Sequence, residues 1–311
     1  MKGIMPNIGF ENNFLEKTAS YTSIILKGVG QIMLQENAIS GLLFLIGIFY
    51  GSFLMGVAAL LATVCGTATA ILLKYDKSEV DKGLYGFSAA LVGVAVLLFL
   101  KPVALSWLFI IIGSSLATII QHFFKKRKIP VFTLPFVLVT WAIILIARVY
   151  FADFVAEDSS SIIASAVNYV TLGFKGFGQV IFQGSLVAGL LFFIAVLISS
   201  PIAALYGLTG GVLSAIIALK LSVPINDIDM GLFSYNAVLC AIVFAGTHLK
   251  DSFWVLFSVL LSLFISLLMA KYNVIPLTFP FVLASCITLF VKSTFHTAIK
   301  SRPSFARKQI R

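Results

Sequence analysis

The polar side chains that could recognise a solute recur in matched pairs along this chain, and none of these pairs carries a charge. The pairs are Gln31 with Gln179, Gln35 with Gln183, and Thr133 with Thr278. Amide and hydroxyl oxygens accept hydrogen bonds without being ionised. Inside a low-dielectric tunnel they would replace the water lost by a solute rich in N–H groups, a loss that otherwise costs about 1–3 kcal/mol per polar group. The pairs therefore favour recognition of a neutral solute.

Both threonines stand in a proline-rich setting. Thr133 and Thr278 each lie two residues before a proline, and a further proline lies upstream of each. Proline lacks a backbone donor and breaks the helical ladder, so nearby carbonyl oxygens are left free to accept hydrogen bonds. The aromatic pair Phe87 and Tyr235 adds ring faces, which on opposite walls would form a slot for a flat molecule.

The charged residues argue against coupled transport and against catalysis. The acidic residues fall at predicted loops or helix ends, with Glu36 the one ambiguous case: Asp76, Glu79, Asp81, Asp153, Glu157, Asp158, Asp227, Asp229 and Asp251. The three histidines lie near predicted span ends and are not paired between the halves. Ion-coupled pumps and proton relays usually need ionisable side chains at membrane depth. The sequence thus predicts passive conduction, with no cofactor and no metal. The three cysteines are interpreted as packing residues.

The chain repeats itself at its polar interruptions. Residues 27–35 recur at 175–183, residues 83–89 at 231–237, and residues 133–136 at 278–281. Any one of these elements could serve helix packing alone. All three recur in the same order, however, and matched interruptions in a duplicated membrane chain indicate a substrate path at the interface of the repeats.

The composition predicts that the chain is embedded in a lipid bilayer. The mean hydropathy is +1.06, and charged residues make up only 11% of the chain, against about 25% in soluble proteins. Apolar stretches of the length that a bilayer requires occur five times in each half. They are residues 39–57, 58–73, 83–100, 103–124 and 131–150, then 185–200, 202–221, 230–247, 252–270 and 279–296. Shorter, more polar pieces precede each set, at 18–36 and 163–183, and are predicted to be re-entrant helices.

These counts predict an all-α integral membrane protein. Because five spans is an odd number, the second half must enter from the opposite side, so we expect two inverted repeats of five transmembrane helices. Each repeat is preceded by a half-membrane re-entrant helix, and together they form a central pore. The predicted divisions are an N-terminal segment (1–17), the first repeat (18–150), a linker (151–162), the second repeat (163–298) and a basic tail (299–311).

Basic residues set the predicted orientation. Of the 22 lysines and arginines, seventeen fall on one side of this topology and five on the other. Cytoplasmic loops carry such an excess, so both termini are predicted to be cytoplasmic and the linker extracytoplasmic. The N-terminus shows no signal-peptide pattern. The net charge of +10 is thereby explained without nucleic acid as a partner.

The motifs resemble those of the urea transporter family over about residues 18–296. Residues 130–136 and 276–281 resemble its duplicated proline–threonine–proline–phenylalanine motif, residues 83–91 its third-span motif, and residues 28–31 its re-entrant motif. The resemblance implies a multi-pass protein of the cell membrane that conducts urea, or a similar small amide, down its gradient. It also implies a homotrimer surrounded by membrane lipid, with a separate pore in every protomer.

The resemblance further assigns roles to residues at matching positions. It implies that Gln31 and Gln179 begin the selectivity filter, with Ile32 and Val180 beside them. Phe87 and Tyr235 are expected to supply the rings of the slots, and Leu34 and Phe182 to flank them. Leu91 and Leu239 are expected to form the central constriction, and Thr133 and Thr278 to contribute acceptor oxygens.

Three positions depart from the family pattern. Gln179 stands where bacterial members commonly carry glutamate, Leu34 where an aromatic ring is expected, and Ser88 where the third-span motif usually has the asparagine that the second half keeps at Asn236. These departures leave selectivity open. A channel for ammonia, water or a short amide is the alternative on the same fold. A membrane-embedded enzyme is disfavoured because no nucleophile–base pair or metal-spaced set can be placed at membrane depth. A purely structural scaffold would leave the matched interruptions without a purpose.

Overall fold

The computed structural model describes residues 8–156 and 169–300, and this part of the chain is almost entirely helical. Residues 1–7 of the predicted N-terminal segment, residues 157–162 of the predicted linker, the start of the second repeat at 163–168, and the tail from 301 onward lie outside the described residues. The helices of the first half are α1 (Ile8–Gly30), α2 (Ala38–Gly51), α3 (Phe53–Leu72), α4 (Lys77–Asp81), α5 (Phe87–Phe99), α6 (Ala104–Lys126) and α7 (Leu134–Tyr150). Those of the second half are α8 (Tyr169–Gln179), α9 (Leu186–Ser199), α10 (Pro201–Lys220), α11 (Ile225–Asp229), α12 (Tyr235–Phe244), α13 (Leu249–Lys271) and α14 (Phe279–Lys300).

Four of the seven helix pairs have the same length in the two halves. Helices α2 and α9 each have 14 residues, α3 and α10 each have 20, α4 and α11 each have 5, and α6 and α13 each have 23. Because helix ends are set by local capping and turn residues, these equal lengths reflect the repetition of motifs in the sequence.

Four helices are long and apolar enough to cross a membrane by themselves, namely α3, α6, α10 and α13. A fifth crossing is possible where residues 16–33 and α2, bent by 75° at their junction, are taken together. The predicted spans at 83–100 and 230–247 are shorter than expected. Helix α5 has 13 residues and α12 has 10, so they rise about 20 and 15 Å against a hydrocarbon core of about 30 Å. Both begin after a turn that contains a glycine in the left-handed region, Gly83 (φ 74°) or Gly231 (φ 82°).

The predicted first span, 39–57, is also corrected. Helix α2 ends at Gly51, and Ser52 adopts an extended conformation. The Ser52 side chain accepts a hydrogen bond from the Met55 amide and so caps the start of α3. Ser200 does the same for Ala203 at the start of α10. Serine favours the first position of a helix because its oxygen satisfies an otherwise unpaired N–H group. Here that local preference divides an apolar stretch that hydropathy reads as continuous.

The short helices α5 and α12 are largely buried. Residues 87–96 of α5 are all buried, and apart from Ala89 their apolar members lie in one cluster with those of α12. The same cluster crosses between the halves through α2 and α9, where the rings of Phe44 and Phe192 meet edge to face at 5.3 Å. Ser40 adds a hydrogen bond of 2.6 Å to the carbonyl of Ala195. The two halves therefore share the largest core cluster, which is called the shared core below, while two smaller clusters each lie within one half.

Candidate functional site

Each half begins its part of the candidate site with a tight turn after a glycine. A Cβ atom on Gly30 would lie 2.5 Å from the Gln35 carbonyl oxygen, so no larger residue fits while the turn keeps this shape. Within the turn Leu34 takes a left-handed conformation (φ 59°), which costs a non-glycine residue about 1 kcal/mol or more. Gly178 and Phe182 (φ 57°) repeat this geometry in the second half. The turns thereby fix both residues that the sequence places as slot flanks.

The glutamines divide into two functional kinds. Gln35 and Gln183 are buried, and each donates from its side-chain amide to a carbonyl of its own turn, that of Met33 or Ile181. These bonds brace the two turns, and the burial of both side chains, at 3% and 4% exposure, distinguishes them from Gln31. Gln31 is half-buried and donates from Nε2 to the Lys82 carbonyl at 3.0 Å. This bond orients the amide and leaves its oxygen as an acceptor.

The two repeated threonines meet. The Oγ1 atoms of Thr133 and Thr278 lie 2.6 Å apart and form a hydrogen bond, although 145 positions separate the residues in the chain. Both are buried, at 3% and 1% exposure. Each follows a residue in the left-handed region, Phe132 (φ 45°) or Leu277 (φ 44°), which turns the chain into the proline-containing start of α7 or α14. The mutual bond uses one of the two hydroxyl hydrogens, so lone pairs remain on both oxygens.

The predicted ring and constriction residues are buried in the shared core. Ile32, Val180, Phe87, Tyr235, Leu91 and Leu239 all belong to the cluster that joins the two halves. Phe182 is half-buried and packs against that cluster, with its ring 6.2 Å from the ring of Phe136. Gln179 is half-buried, whereas Leu34 is 41% exposed.

Leu34, the most exposed of the predicted site residues, borders a cavity of about 360 Å³. The cavity is lined by Leu34, Gln35, Ser200, Ile202, Ala203, Ile242, Val243, Ala245 and Gly246. These residues come from the first turn and from the facing ends of α10 and α12. A solute-sized space therefore adjoins the turn that carries Gln31, and its lining is polar and apolar in equal measure.

Asn236 is a residue of the site that sequence reasoning noted only for its identity. Its Nδ2 atom donates to the Leu277 carbonyl at 3.3 Å, and its Oδ1 atom accepts from the Phe281 amide at 3.2 Å. The Tyr235 hydroxyl donates to the same Leu277 carbonyl. Because the first N–H groups of a helix have no acceptor within it, Asn236 satisfies one of these groups, and both side chains hold the start of α14 in place. The signal for this role was its position in the duplicated motif.

A polar cluster lies away from these residues, at the start of the third-span motif. The Tyr85 hydroxyl donates to Glu79, and the Nδ1 atom of His122 lies 2.9 Å from the Tyr85 hydroxyl oxygen. Since the single phenolic hydrogen goes to the carboxylate, His122 must donate from Nδ1. Tyr75 stacks on His122 at 3.6 Å, and Lys125 pairs with Glu79 at 3.2 Å. Burial, and then the hydrogen bond to Glu79, raise the pKa of Tyr85.

The described residues contain no group of three or more His, Cys, Asp or Glu side chains that could hold a metal ion. What the site offers instead is a set of uncharged oxygens, amide edges and ring faces from both halves. Such a set can bind a neutral polar molecule by hydrogen bonds and apolar contact, and it supplies neither a nucleophile nor a base.

Comparisons with known proteins agree with this chemistry. A family model described as "Urea transporter" matches residues 22–293. The chain is 30% identical over 296 residues to urea transporter 1 of Ovis aries and 28% identical over 292 residues to urea transporter 1 of Rattus norvegicus. Each match covers 86% of this chain and 76% of the relative. The matched range of the family model includes every predicted site residue from Gln31 to Thr278, and the chain therefore belongs to the urea transporter family.

Proposed function

We propose that this chain is a passive channel that conducts urea down its concentration gradient across the cell membrane. Membership of the urea transporter family supports this function over an enzymatic one. The observation that carries the proposal is the contact at 2.6 Å between the buried hydroxyls of Thr133 and Thr278, one from each half. Urea is flat and uncharged, and it presents N–H donors along its edges. Uncharged acceptor oxygens beside ring faces match each of these properties.

The proposed path uses the twelve residues that the sequence predicted. Gln31 and Gln179 would receive the solute at the two turns, with Leu34 and Phe182 at the flanks. Inside, the solute would pass between side chains of the shared core and the threonine pair, namely Ile32, Val180, Phe87, Tyr235, Leu91, Leu239, Thr133 and Thr278. The burial of all eight supports this order, because a dry constriction strengthens hydrogen bonds to a neutral solute and excludes hydrated ions.

The threonine pair suggests how conduction stays fast. Each hydroxyl is already hydrogen-bonded to the other, so neither is left unpaired when the path is empty. An arriving N–H group can take a lone pair on either oxygen while the mutual bond persists or rotates. The solute therefore exchanges water for protein acceptors without facing a deep energy well on either side, as conduction requires.

The proposed arrangement in the membrane is two inverted repeats, residues 18–150 and 163–298, with both termini in the cytoplasm and three protomers in the assembly. The matched helix lengths of the two halves and the lopsided distribution of basic residues support the inversion. Single cysteines introduced at Lys77 and Lys220 would test it, because the proposed topology puts these residues on opposite sides. An impermeant thiol reagent that labelled both from the same side would contradict the inversion.

The decisive experiment is stopped-flow light scattering on proteoliposomes. Thr133→Val and Thr278→Val each remove one acceptor at nearly constant volume, and we expect each to slow urea entry about tenfold, the equivalent of one lost hydrogen bond of about 1.4 kcal/mol. Thr288→Val is the matched control, since this buried threonine lies on α14 and donates only to its own helix, at 2.7 Å to the Ala284 carbonyl. If all three variants conduct like the parent, the threonine pair is not part of the path.

The same assay separates urea from the alternative solutes. Water, ammonia and acetamide are compared with urea in parent proteoliposomes and in empty liposomes. Saturable urea entry slowed by thiourea supports a urea slot. Urea entry equal to that of empty liposomes, with another solute moving, would mean that Leu34 and Gln179 have retuned the filter.

A further inference from the structure

The two halves differ at one buried hydrogen-bonding position. In the second half, the carbonyl of Leu277 accepts from the Tyr235 hydroxyl and from Asn236, which also accepts from the Phe281 amide. The sequence motifs align Tyr235 and Asn236 with Phe87 and Ser88. Phe87 has no hydroxyl group, and the serine side chain is two heavy atoms shorter than asparagine. The first half therefore lacks the donors that close this position in the second.

Ser88 is left without a partner as a result. Ser88 is 2% exposed, and its hydroxyl makes no hydrogen bond within the described residues. Across those same ranges, no side chain donates to the carbonyl of Phe132, the counterpart of Leu277. A buried polar group without a partner costs about 1–3 kcal/mol, and proteins normally satisfy such groups with a side chain, a water molecule or a ligand.

The unfilled position adjoins the proposed path. Phe132 directly precedes Thr133, whose hydroxyl contacts Thr278. Ser88 directly follows Phe87, a predicted slot ring that lies in the shared core. Asn236 and Leu277 are in contact in the second half, so by the alignment their counterparts Ser88 and Phe132 offer a hydroxyl donor and a carbonyl acceptor, which complement the adjacent C=O and N–H groups of an amide. A hydrophobic or ionic solute could not satisfy both.

We propose that the Ser88 hydroxyl and the Phe132 carbonyl form a binding position for the transported neutral amide, present on the first-half wall only. The Ser88 hydroxyl donates to the solute carbonyl, and the Phe132 carbonyl accepts from its N–H group. In the second half the protein occupies the equivalent position with its own amide, that of Asn236. The inference rests on the proposed function, since it deepens the chemistry of the same path.

Two variants test the position in opposite ways. Ser88→Ala removes the donor, and we expect the half-saturating urea concentration to rise about threefold to tenfold, with the maximal flux retained. Ser88→Asn supplies the first half with a copy of the Asn236 side chain, which would occupy the position itself. We expect it to raise the half-saturating concentration at least as much and to increase thermal stability. Ser88→Ala keeps the inference testable if the larger side chain does not fit.

Ser114→Ala is the matched control, because Ser114 is another fully buried serine whose hydroxyl has no partner within the described ranges. It lies on α6, outside the proposed path, and is expected to change stability without changing half-saturation. If Ser88→Ala behaves like Ser114→Ala, the position holds water only and the inference is overturned, while the proposed function stands. If the parent itself does not conduct urea above empty liposomes, the proposed function falls first and the inference falls with it.

Discussion

Replacing Asn236 by alanine should destabilise this protein more than its size suggests. The change removes a hydrogen bond to the Leu277 carbonyl at 3.3 Å and one from the Phe281 amide at 3.2 Å. A typical bond contributes about 0.5–1.5 kcal/mol, and a buried donor left unpaired costs about 1–3 kcal/mol. The Leu277 carbonyl keeps its bond to Tyr235, so only the Phe281 amide is orphaned. The expected loss is therefore about 2–4 kcal/mol in the free energy of unfolding.

A buried thiol provides the assay. Cys240 lies one helical turn after Asn236 and is fully buried, so a thiol-reactive fluorescent dye reaches it only when the core opens. The more accessible Cys65 and Cys286 are replaced by alanine in the background so that the signal has one origin. Unfolding is followed against temperature in detergent for the parent and for Asn236→Ala.

Ser88→Ala serves as the control for this measurement. It truncates the aligned residue of the first half, whose hydroxyl has no partner in the described structure, and should be neutral or slightly stabilising. Asn236→Ala unfolding at the parental temperature would refute the reasoning, because the two side-chain bonds would then contribute nothing to holding the start of α14.

Three further predictions concern the turns and the charged groups. Gly178→Ala should abolish folded expression or urea flux, because the new Cβ would collide with the Gln183 carbonyl oxygen; expression and flux are both measured. Lys175→Met should cost about 1–3 kcal/mol in thermal unfolding, because it leaves Asp229, 15% exposed and paired at 2.8 Å, without its cation. Because the pKa of Tyr85 is raised in the folded protein, its neutral hydroxyl stabilises the fold in full below the ordinary tyrosine pKa of 10.0. This stabilisation is lost as the pH rises further. Replacing Tyr85 by phenylalanine should therefore flatten the loss of thermal stability above pH 10.

Each of these predictions has its own control. Gly184→Ala places a Cβ near only the flexible end of a side chain, 3.3 Å from Gln179 Nε2, and should be tolerated. Removing both members of the Lys175 ion pair should cost less than removing one, since no unpaired charge then remains. An unchanged pH profile after the Tyr85 substitution would show that other groups control stability in alkali.

Much of the architecture could be predicted from the sequence because the responsible forces act locally. The excess of apolar residues and the scarcity of charges indicate membrane helices by their length and composition alone. The helices α6 and α13 lie close to their predicted ranges of 103–124 and 252–270. The prediction was less accurate for the spans at 83–100 and 230–247. There the turns at Gly83 and Gly231 shorten the helices, and hydropathy does not register a left-handed backbone.

For the candidate site, the sequence predicts which residues belong to it but not how they are bonded, and the membership stays a prediction. The duplicated motifs identified the glutamine and threonine pairs as a set of uncharged groups. Sequence spacing could not tell that Gln35 and Gln183 are buried and brace their own turns, while Gln31 is half-buried and donates to a different segment at Lys82. That distinction depends on which carbonyl each side chain reaches and on how it is packed once the turn has formed.

By itself, the sequence determined that this protein is a duplicated membrane chain with matched, uncharged interruptions, because composition and repetition are properties of the chain alone. The contact between Thr133 and Thr278, the two hydrogen bonds of Asn236 and the lack of a partner for the Ser88 hydroxyl within the described residues depend on the tertiary structure. These contacts join residues that are far apart in sequence, and each requires both halves or two separate helices to be packed before it exists. Local preferences fix what each half can form, and the packing of the shared core fixes which polar groups remain for a solute.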